Sequence, residues 1–419
     1  MKVYTGSNPT ELYLQMLKDL CENGTECSPR GKLIKELRPV CVEFTQPTNR
    51  MTFANNRRIN PFFQLAESLW IVSGRADVAF LSAFNANMKS FSDDGVYFNA
   101  SYGERIRFFS KNSLHNFIVN PVDQLTDAYR KLSADKDTRQ AVIVISNPMF
   151  DNASYTIQEK GLDIACNLII TLKIRDDALD ITVFNRSNDI HWGLFGANLA
   201  QFSTIQELMA SWLGVKVGTY CHITDSLHVY MDDYGSKITD DMLSKESTSD
   251  TPLYLFKTEP KMSMGIDNFD RFLSSFWSTV EPCLMNDEYM KSKPLELACT
   301  LNDLSKTEFK AKVDEYWVMV VNSMIAYRDY RLGRLMDSIQ IIKRYIPSSQ
   351  YKVSMLYFLK DIISNSIRNA KDADEEHYYQ DCKNDYVETV DLLIHDLLNS
   401  REAGASLAAY LKLDQGETE

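Results

Sequence analysis

The spacing of hydrophobic and polar residues alternates between helical and extended periods over the first 265 residues. Apolar residues recurring every three or four positions predict helices over 8–22, 61–74, 76–91, 122–134, 199–213 and 232–245. Alternating or continuous apolar runs predict strands in PVCVEFTQ, QAVIVIS, CNLIITLKI, LDITVFN, YCHITDSLHVY and PLYLFKTEP. The short turn RDDA predicts a hairpin between the third and the fourth of these strands. Residues 92–104 form a predicted polar loop.

Beyond about residue 266, the pattern has helical periods and no strand signal. The helical segments cover 269–280, 306–346, 351–367 and 387–400. We therefore expect an α+β domain over residues 1–265 and an all-helical C-terminal region over 266–419. The acidic run DADEEHYYQD is a predicted solvated face or loop.

The composition is that of a soluble globular protein, with 24% charged and 44% hydrophobic residues in 419. A net charge of −12 argues against direct nucleic-acid binding and is compatible with a small phosphorylated ligand. The 8 cysteines form no CxxC pair and no zinc-type cluster, which predicts free thiols in the cytoplasm and no bound metal. The polar N-terminus lacks the core of a secretory signal, and no run is long enough to span a membrane.

The segment FNRSNDIHWGLFGANLAQFS, residues 184–203, places charges and amides beside a tryptophan directly after an apolar strand. A surface loop does not need Trp192, and a core segment does not tolerate Arg186, so the mixture predicts a partly shielded polar site. Counted from the RDDA turn, Cys166 and Arg186 fall at roughly matching distances on the hairpin. A cation beside a thiol, which lowers its pKa, is typical of a cysteine nucleophile. The alternative is a buried core cysteine, the commoner state of this residue type.

The order of several motifs resembles that of thymidylate synthases over roughly residues 25–260. These motifs are a glutamate in ESLW, SYGER, DTRQ before a strand, a cysteine at a strand start, RSNDIHWGLFGANLA and LHVY. The last two are similar to the family's RSxDxxLGxPFNIA and THxY blocks. The resemblance implies a thymidylate synthase-like mixed sheet with flanking helices. It also implies one-carbon transfer from 5,10-methylene-tetrahydrofolate to C5 of a pyrimidine nucleoside monophosphate, without a metal.

The resemblance implies catalytic roles for Cys166, Glu67, Tyr102 and Arg186. Cys166 would be the nucleophile that adds to C6 of the pyrimidine, which makes C5 reactive. Glu67 would act as general acid and base through water, and Tyr102 would lie near the C5 proton. Arg186 would support the thiolate and bind the 5′-phosphate. Without the resemblance, the alternative interpretation of Arg186 is a surface salt bridge.

The resemblance also implies nucleotide-binding residues outside this catalytic group. Ser187, Arg30 in SPRG and Arg139 in DKDTRQ would contact the phosphate. Arg139 matches an arginine that the family supplies from the opposite subunit, which implies a homodimer with shared active sites. Taken alone, both SPRG and DKDTRQ are also compatible with ordinary solvated turn arginines.

Base and sugar recognition are implied for Asn198, His228 and Tyr230. The Asn198 amide would accept from N3–H and donate to O4 of uracil, whereas an aspartate there would favour cytosine, as in related deoxycytidylate hydroxymethylases. His228 and Tyr230 alternate on a strand, so they face the same side, and they would bind the 3′-hydroxyl. The alternatives are a helix cap for Asn198 and a half-buried His–Tyr pair.

The folate-binding residues implied by the resemblance are Asp189, Trp192 and Gly193. Asp189 would hydrogen-bond the pterin ring, and Trp192 and Gly193 would flank it.

The chain departs from the family pattern at several places. Gln140 replaces a second arginine, Asn167 replaces a histidine after the cysteine, and GLFGANL carries one extra residue. Phe91 is the nearest counterpart of an indole beside the reacting carbon, and a helical region replaces a short apolar C-terminus. Because that indole and that C-terminus help to exclude water, their replacement favours a hydroxymethyl product.

Three functions are therefore open from the sequence. The first is methylation of dUMP to dTMP, as in thymidylate synthases. The second is hydroxymethylation of dUMP or another pyrimidine nucleotide. The third is a non-catalytic nucleotide-binding homologue, for which the helical region would serve as a partner surface.

Overall fold

The computed structural model describes residues 1–54, 57, 59–109, 120–151, 163–244, 259–292, 314–396 and 411. The chain divides into two compact units, unit 1 with Met1–Arg57 and Ala66–Ser247, and unit 2 with Arg58–Leu65 and Thr248–Glu419. The division at residue 265 stays a prediction, and the predicted strand PLYLFKTEP lies largely outside the described residues. The α+β class with a helical C-terminal region is confirmed.

Two mixed sheets form the centre of unit 1. Their strands are β1 (Lys2–Gly6), β2 (Thr25–Cys27), β3 (Ile34–Leu37), β4 (Val40–Phe44), β5 (Val142–Val144), β6 (Asn167–Arg175), β7 (Ala178–Asn185), β8 (Asn188–Asp189), β9 (Lys216–Thr224) and β10 (Leu227–Tyr230). The larger sheet has the order β1-β4-β9-β7-β6-β5, and the smaller has the order β2-β3-β10-β8. In the larger sheet, β1 runs parallel to β4 and β7 runs parallel to β9, while the other neighbours are antiparallel.

The helices between residues 1 and 244 are α1 (Pro9–Asn23), α2 (Pro61–Val72), α3 (Val78–Phe84), α4 (Tyr102–Arg107), α5 (Gln124–Ala134), α6 (Pro148–Asp151), α7 (Leu199–Leu213) and α8 (Asp233–Ser244). The predicted helix 76–91 is α3 followed by a 3₁₀ segment, because the side chain of Asn85 caps a new helical start. The predicted loop 92–104 is too long, since Ser101 caps α4. The end of α7 is as predicted, with Gly214 in the left-handed region at φ 64°.

The predicted hairpin is confirmed for β6 and β7. The turn residues Asp176 and Asp177 have φ values of 50° and 56°, as a type I′ turn requires at both central positions. Arg175 pairs with Ala178 at the turn, and Asn167 pairs with Asn185 at the open end. The ends of the two strands therefore lie side by side.

The predicted strand YCHITDSLHVY is two strands in different sheets. The break falls at Asp225, whose backbone N–H donates to the Asn185 carbonyl oxygen over 2.9 Å. One residue later, the Ser226 carbonyl oxygen accepts from the Asn188 backbone N–H over 2.8 Å. These two hydrogen bonds, where the chain passes from the larger to the smaller sheet, hold β8 and β10 beside the open end of the hairpin.

The described residues of unit 2 form helices joined by short non-helical segments, with no strand among them. Its helices are α9 (Ile266–Ser275), α10 (Glu281–Leu284), α11 (Asp287–Ser292), α12 (Glu315–Arg331), α13 (Leu335–Tyr345), α14 (Gln350–Arg368) and α15 (Ala373–Asp396), with a π-helical segment at Phe276–Val280. Trp317 is fully buried, and its ring centroid lies 5.2 Å from that of Phe269. The acidic run forms the exposed start of α15, as predicted. Within the described ranges, the chain has no helix that is both long and apolar enough for a bilayer.

Candidate active site

The open end of the β6–β7 hairpin brings Cys166 and Arg186 together. Cys166 directly precedes β6, and Arg186 directly follows β7. The backbone N–H of Arg186 donates to the carbonyl oxygen of Cys166 over 2.9 Å. The turn at Asp176 and Asp177, together with a bulge between Asn167 and Ile169, therefore fixes both residues at one edge of the sheet.

The Arg186 guanidinium is anchored to the backbone that leads into Cys166. Its Nε donates to the Ala165 carbonyl oxygen over 2.9 Å, and its Nη2 donates to the Ile164 carbonyl oxygen over 3.2 Å. In the described part of the chain, Arg186 forms no ion pair, so the alternative of a surface salt bridge has no partner there. The anchored guanidinium keeps a positive charge beside a half-buried thiol.

Burial is the largest influence on the Cys166 thiol and raises its pKa above the ordinary value. The charges of Arg186 and Arg30 oppose this rise, while Asp163 and Asp151 add to it. The lowered pKa expected from the sequence is therefore wrong, although the cations that it requires are present. The two arginines limit the cost of forming the thiolate and do not remove it.

Tyr102 and Asn167 lie next to the thiol. Tyr102 is the first residue of α4, and the pKa of its hydroxyl is raised by burial and by the neighbouring Cys166. The hydroxyl therefore stays protonated at neutral pH and is available as a donor. Asn167 is 1% exposed, and its Oδ1 accepts from Asn185 Nδ2 over 2.9 Å. The Asn167 side chain also hydrogen-bonds the Tyr102 hydroxyl.

A chain of three buried polar side chains links α2 to α7. Asn198 Nδ2 donates to Gln201 Oε1 over 3.0 Å, and Gln201 in turn hydrogen-bonds the Glu67 carboxyl. Burial raises the pKa of Glu67 to about 7, partly offset by the Gln201 hydrogen bond. Asn198 is itself helical, at φ −64°, and its side chain does not cap α7, so the capping alternative is wrong.

The extra residue of GLFGANL is accommodated by a π-helical segment at Ile190–Asn198 that leads directly into α7. One additional residue in a helix typically produces such a widened turn, which leaves the flanking faces in register. The segment starts at Asp189, whose carboxylate accepts from the His191 backbone N–H over 2.9 Å. The insertion therefore does not rotate Asn198 away from the site.

His228 and Tyr230 share one face of β10, with ring centroids 5.2 Å apart and nearly perpendicular planes. In the parallel pairing of β8 with β10, His228 lies opposite Asp189. Burial lowers the pKa of His228 and raises that of Asp189, and each charge partly offsets the shift of the other. Burial thus disfavours the charged form of each group, and their mutual attraction favours it.

The other phosphate-binding candidates are placed differently. Arg30 lies in a tight turn at φ 56°, donates to the Tyr230 hydroxyl and acts electrostatically on Cys166, so it joins the site. Ser187 is half-buried beside Arg186, with its backbone N–H donating to Asn185 Oδ1 over 2.7 Å. Arg139 is exposed just before β5 and forms no hydrogen bond or ion pair with a described residue.

Trp192 and Gly193 form the outer wall of the candidate site. Trp192 is 37% exposed. A Cβ at Gly193 would lie 2.0 Å from Asn188 Oδ1, so only glycine fits this close approach. Asn188 is held from behind by His222, with 2.9 Å between Nδ2 and Nε2. Phe91, the sequence-based counterpart of the missing indole, is 47% exposed at the end of the segment Ala86–Phe91.

Sequence reasoning assigned no role to several supporting residues. His191 is buried, accepts or donates at 2.5 Å with the Tyr13 hydroxyl, and receives Arg57 Nη2 at its carbonyl oxygen over 3.0 Å. Gln201 lies three residues after Asn198, a spacing that places both on one helix face and was the available signal. The described residues hold no cluster of His, Cys, Asp and Glu that fits a metal ion.

Removal of the Arg186 charge should make the thiol harder to ionise. We expect Arg186→Gln to shift the pH profile of Cys166 alkylation by iodoacetamide to higher pH, because the largest opposing cation is lost. Alkylation at neutral pH should slow several-fold, on the order of one pKa unit. Arg30→Gln is the matched control with a smaller expected shift. An unchanged profile in Arg186→Gln would show that the guanidinium does not act on the sulfur.

Comparison with known proteins agrees with this arrangement. Residues 11–273 match the thymidylate synthase family. The chain is 46% identical to a deoxyuridylate hydroxymethyltransferase of Bacillus phage SP01, over 90% of this chain and 98% of that protein. A protein of the same name from Delftia phage PhiW-14 is 28% identical over 78% of this chain and 82% of its own. The protein from Pseudomonas phage M6 is 36% identical over 55% of this chain and 62% of its own. The chain belongs to the thymidylate synthase family, whose enzymes transfer a one-carbon unit to C5 of a pyrimidine nucleotide.

Proposed function

We propose that the protein hydroxymethylates C5 of dUMP, with carbon from 5,10-methylene-tetrahydrofolate and oxygen from water. The observation that carries the proposal is Glu67. Its carboxyl is buried, has a pKa of about 7, and keeps Oε2 without a hydrogen-bond partner among the described residues. Such a group can take a proton from water at neutral pH. The relative from Bacillus phage SP01, named for the same reaction, supports this choice over methylation.

The nucleotide would be held by its phosphate and its sugar. Arg30 and Arg186 offer guanidinium groups and Ser187 a hydroxyl at one edge of the site, which suits the oxygens of a 5′-phosphate. His228 and Tyr230 would bind the 3′-hydroxyl from β10. Since Cys166 lies beside the arginines, the phosphate would also position the base over the sulfur.

Asn198 would select uracil. Because its Nδ2 is directed to Gln201, its Oδ1 is the atom turned away from that contact and available to accept from N3–H. The second hydrogen of Nδ2 can donate to O4. Cytosine presents the opposite pattern at both positions, so this orientation disfavours it.

The first chemical step would be addition of the Cys166 thiolate to C6. The new S–C6 bond moves an electron pair to C5, which then bonds to the incoming carbon. Loss of the C5 proton, near the Tyr102 hydroxyl, and departure of tetrahydrofolate leave an exocyclic methylene on the nucleotide. Tyr102 stays protonated and would orient the water that carries the C5 proton away.

The second step would consume water. Glu67 takes a proton as the water oxygen bonds to the exocyclic carbon, and the displaced electron pair returns to C5. Re-formation of the C5–C6 double bond then expels the Cys166 thiolate. The sum is dUMP, water and the one-carbon donor giving 5-hydroxymethyl-dUMP and tetrahydrofolate.

The folate would lie against Asp189, Trp192 and Gly193, and when bound it supplies a carbon at the oxidation level of formaldehyde. The residues fit such a ligand, since Trp192 presents an accessible ring and Gly193 leaves no room for a side chain. Burial raises the pKa of Asp189, which favours a carboxyl that exchanges hydrogen bonds with a neutral pterin edge. The unpaired cysteines of the described residues agree with a cytoplasmic location.

Incubation of the enzyme with dUMP and 5,10-methylene-tetrahydrofolate should yield hydroxymethyl-dUMP by mass spectrometry, with no rise in dihydrofolate absorbance. Cys166→Ala should abolish turnover and retain nucleotide binding, because it removes only the sulfur. A methylated product together with dihydrofolate would establish the thymidylate synthase reaction instead. Absence of tritium release from C5-labelled dUMP would indicate a non-catalytic nucleotide-binding protein.

A homodimer with shared sites is the second part of the proposal. One face of the larger sheet carries a continuous row across all its strands, formed by Val144, Ile169, Phe184, Ile223, Cys41 and Val3. Phe184, Val144 and Val3 are exposed. An apolar row of this length on a sheet face is typical of an interface, and a second copy would cover it. Arg139 precedes the edge strand β5 and would reach the site of that second copy.

Hybrid dimers test the shared site. Cys166→Ala and Arg139→Glu should each be inactive alone, because one lacks the nucleophile and the other repels the phosphate. Mixed under conditions of subunit exchange, they should recover roughly a quarter of wild-type activity, since each hybrid contains one intact site. Failure to recover activity, or light scattering that gives a 48.1-kDa monomer, would contradict the dimer.

A further inference from the structure

We infer that Gln201 is a positioning residue that couples the choice of base at Asn198 to proton transfer at Glu67. The inference rests on the proposed function and deepens it. It assigns the specificity of the site to a side chain that touches neither the base nor the water itself.

The three side chains form one buried line from α7 to α2. Asn198, Gln201 and Glu67 are 6%, 4% and 9% exposed. Gln201 Oε1 accepts from Asn198 Nδ2 over 3.0 Å, and Gln201 donates to the Glu67 carboxyl. Because water is largely excluded, each of these polar groups must find its hydrogen-bond partner among the other two or remain without one.

A glutamine amide has an acceptor at one end and donors at the other. With Oε1 committed to Asn198, only Nε2 faces Glu67, where it favours the ionised carboxylate. The same contact fixes the direction of the Asn198 amide, which leaves Oδ1 to accept from N3–H of uracil. The orientation that reads uracil is therefore also the orientation that stabilises ionised Glu67.

Reading cytosine would require Asn198 to turn its Nδ2 toward N3. Its Oδ1 would then face Gln201, whose amide would have to turn as well and present Oε1 to Glu67. Two oxygens can meet there only if Glu67 is protonated, which removes the base that activates water. Cytosine is thus disfavoured twice, first when the nucleotide binds and again when water is activated.

Two variants of Gln201 separate these effects. Gln201→Met fills a similar volume without hydrogen bonds, so the dUMP-over-dCMP ratio of kcat/KM should fall about tenfold or more. Gln201→Glu keeps an acceptor for Asn198 and removes the donor to Glu67, so that ratio should stay within a few-fold of wild type. Both variants should shift the rise of kcat with pH.

The sign of the pH shift follows from the hydrogen bond. Gln201 lowers the pKa of Glu67, so its loss raises that pKa above about 7. If ionised Glu67 activates water, the ascending limb of kcat should move to higher pH by about one unit in Gln201→Met. The shift should be larger in Gln201→Glu, because a second carboxylate then lies beside the first.

The wild type, both variants and an exposed control on α1, Gln15→Met, would be compared after their thermal midpoints show folded protein. If Gln201→Met does not fold, the shift of the ascending limb of kcat with pH in Gln201→Glu tests the inference alone. An unchanged ratio in Gln201→Met, or an unmoved pH limb in Gln201→Glu, overturns the inference. Calorimetric binding of dUMP and dCMP repeats the base test without turnover, so failure of the proposed reaction can be told apart from failure of the Gln201 role.

Discussion

The register of one hairpin is the constraint on which the site depends. The turn at Asp176 and Asp177 and a bulge between Asn167 and Ile169 align β6 with β7, and the aligned ends place the Cys166 carbonyl oxygen 2.9 Å from the Arg186 backbone nitrogen. A slip of one residue would turn every side chain of a strand to the other face and separate sulfur from guanidinium. Further hydrogen bonds from Arg186 to Ala165 and Ile164 keep the charge in place. The juxtaposition of the thiol and the guanidinium therefore depends on the pairing of β6 with β7.

Burial controls the protonation of the groups around that hairpin end. It raises the pKa values of Cys166, Tyr102 and Glu67 and lowers that of His228. Burial thus favours the neutral form of all four groups. Neighbouring charges and amides oppose this effect at particular groups. Arg186 acts on the sulfur and Gln201 on the Glu67 carboxyl. These two neighbours favour the charged forms of the sulfur and of the Glu67 carboxyl.

The parts of the fold that were predictable from the sequence are those with strong local signals. The RDDA turn defined the hairpin, and the apolar period with Gly214 defined the end of α7. The strands β1 and β2 were missed because they are short and largely exposed, and β3 was missed because two of its four residues are Lys35 and Glu36, so their patterns resemble those of loops. The break between β9 and β10 depends on hydrogen bonds to Asn185 and Asn188, which no local pattern contains.

The candidate site was predictable to a similar degree. The motif order identified Cys166, Arg186 and Asn198 because those residues fall in continuous segments. Gln201 was not recognised and Asn167 was noted only as a departure from the family pattern, since their contacts depend on partners distant in the chain, Glu67 and Asn185. The π-helical segment that keeps Asn198 in register is a response of the backbone to one extra residue, and it has no compositional signature.

The central claim is that the Cys166 sulfur bonds to C6 of the pyrimidine. Intact-protein mass spectrometry with 5-fluoro-dUMP and 5,10-methylene-tetrahydrofolate tests it most directly, because fluorine at C5 cannot leave as the proton does and the covalent adduct should accumulate. We expect a mass increase equal to nucleotide plus folate, mapped by proteolysis to the peptide that contains Cys166 and absent in Cys166→Ala. An adduct on another residue, or turnover of dUMP by Cys166→Ala, would contradict the account.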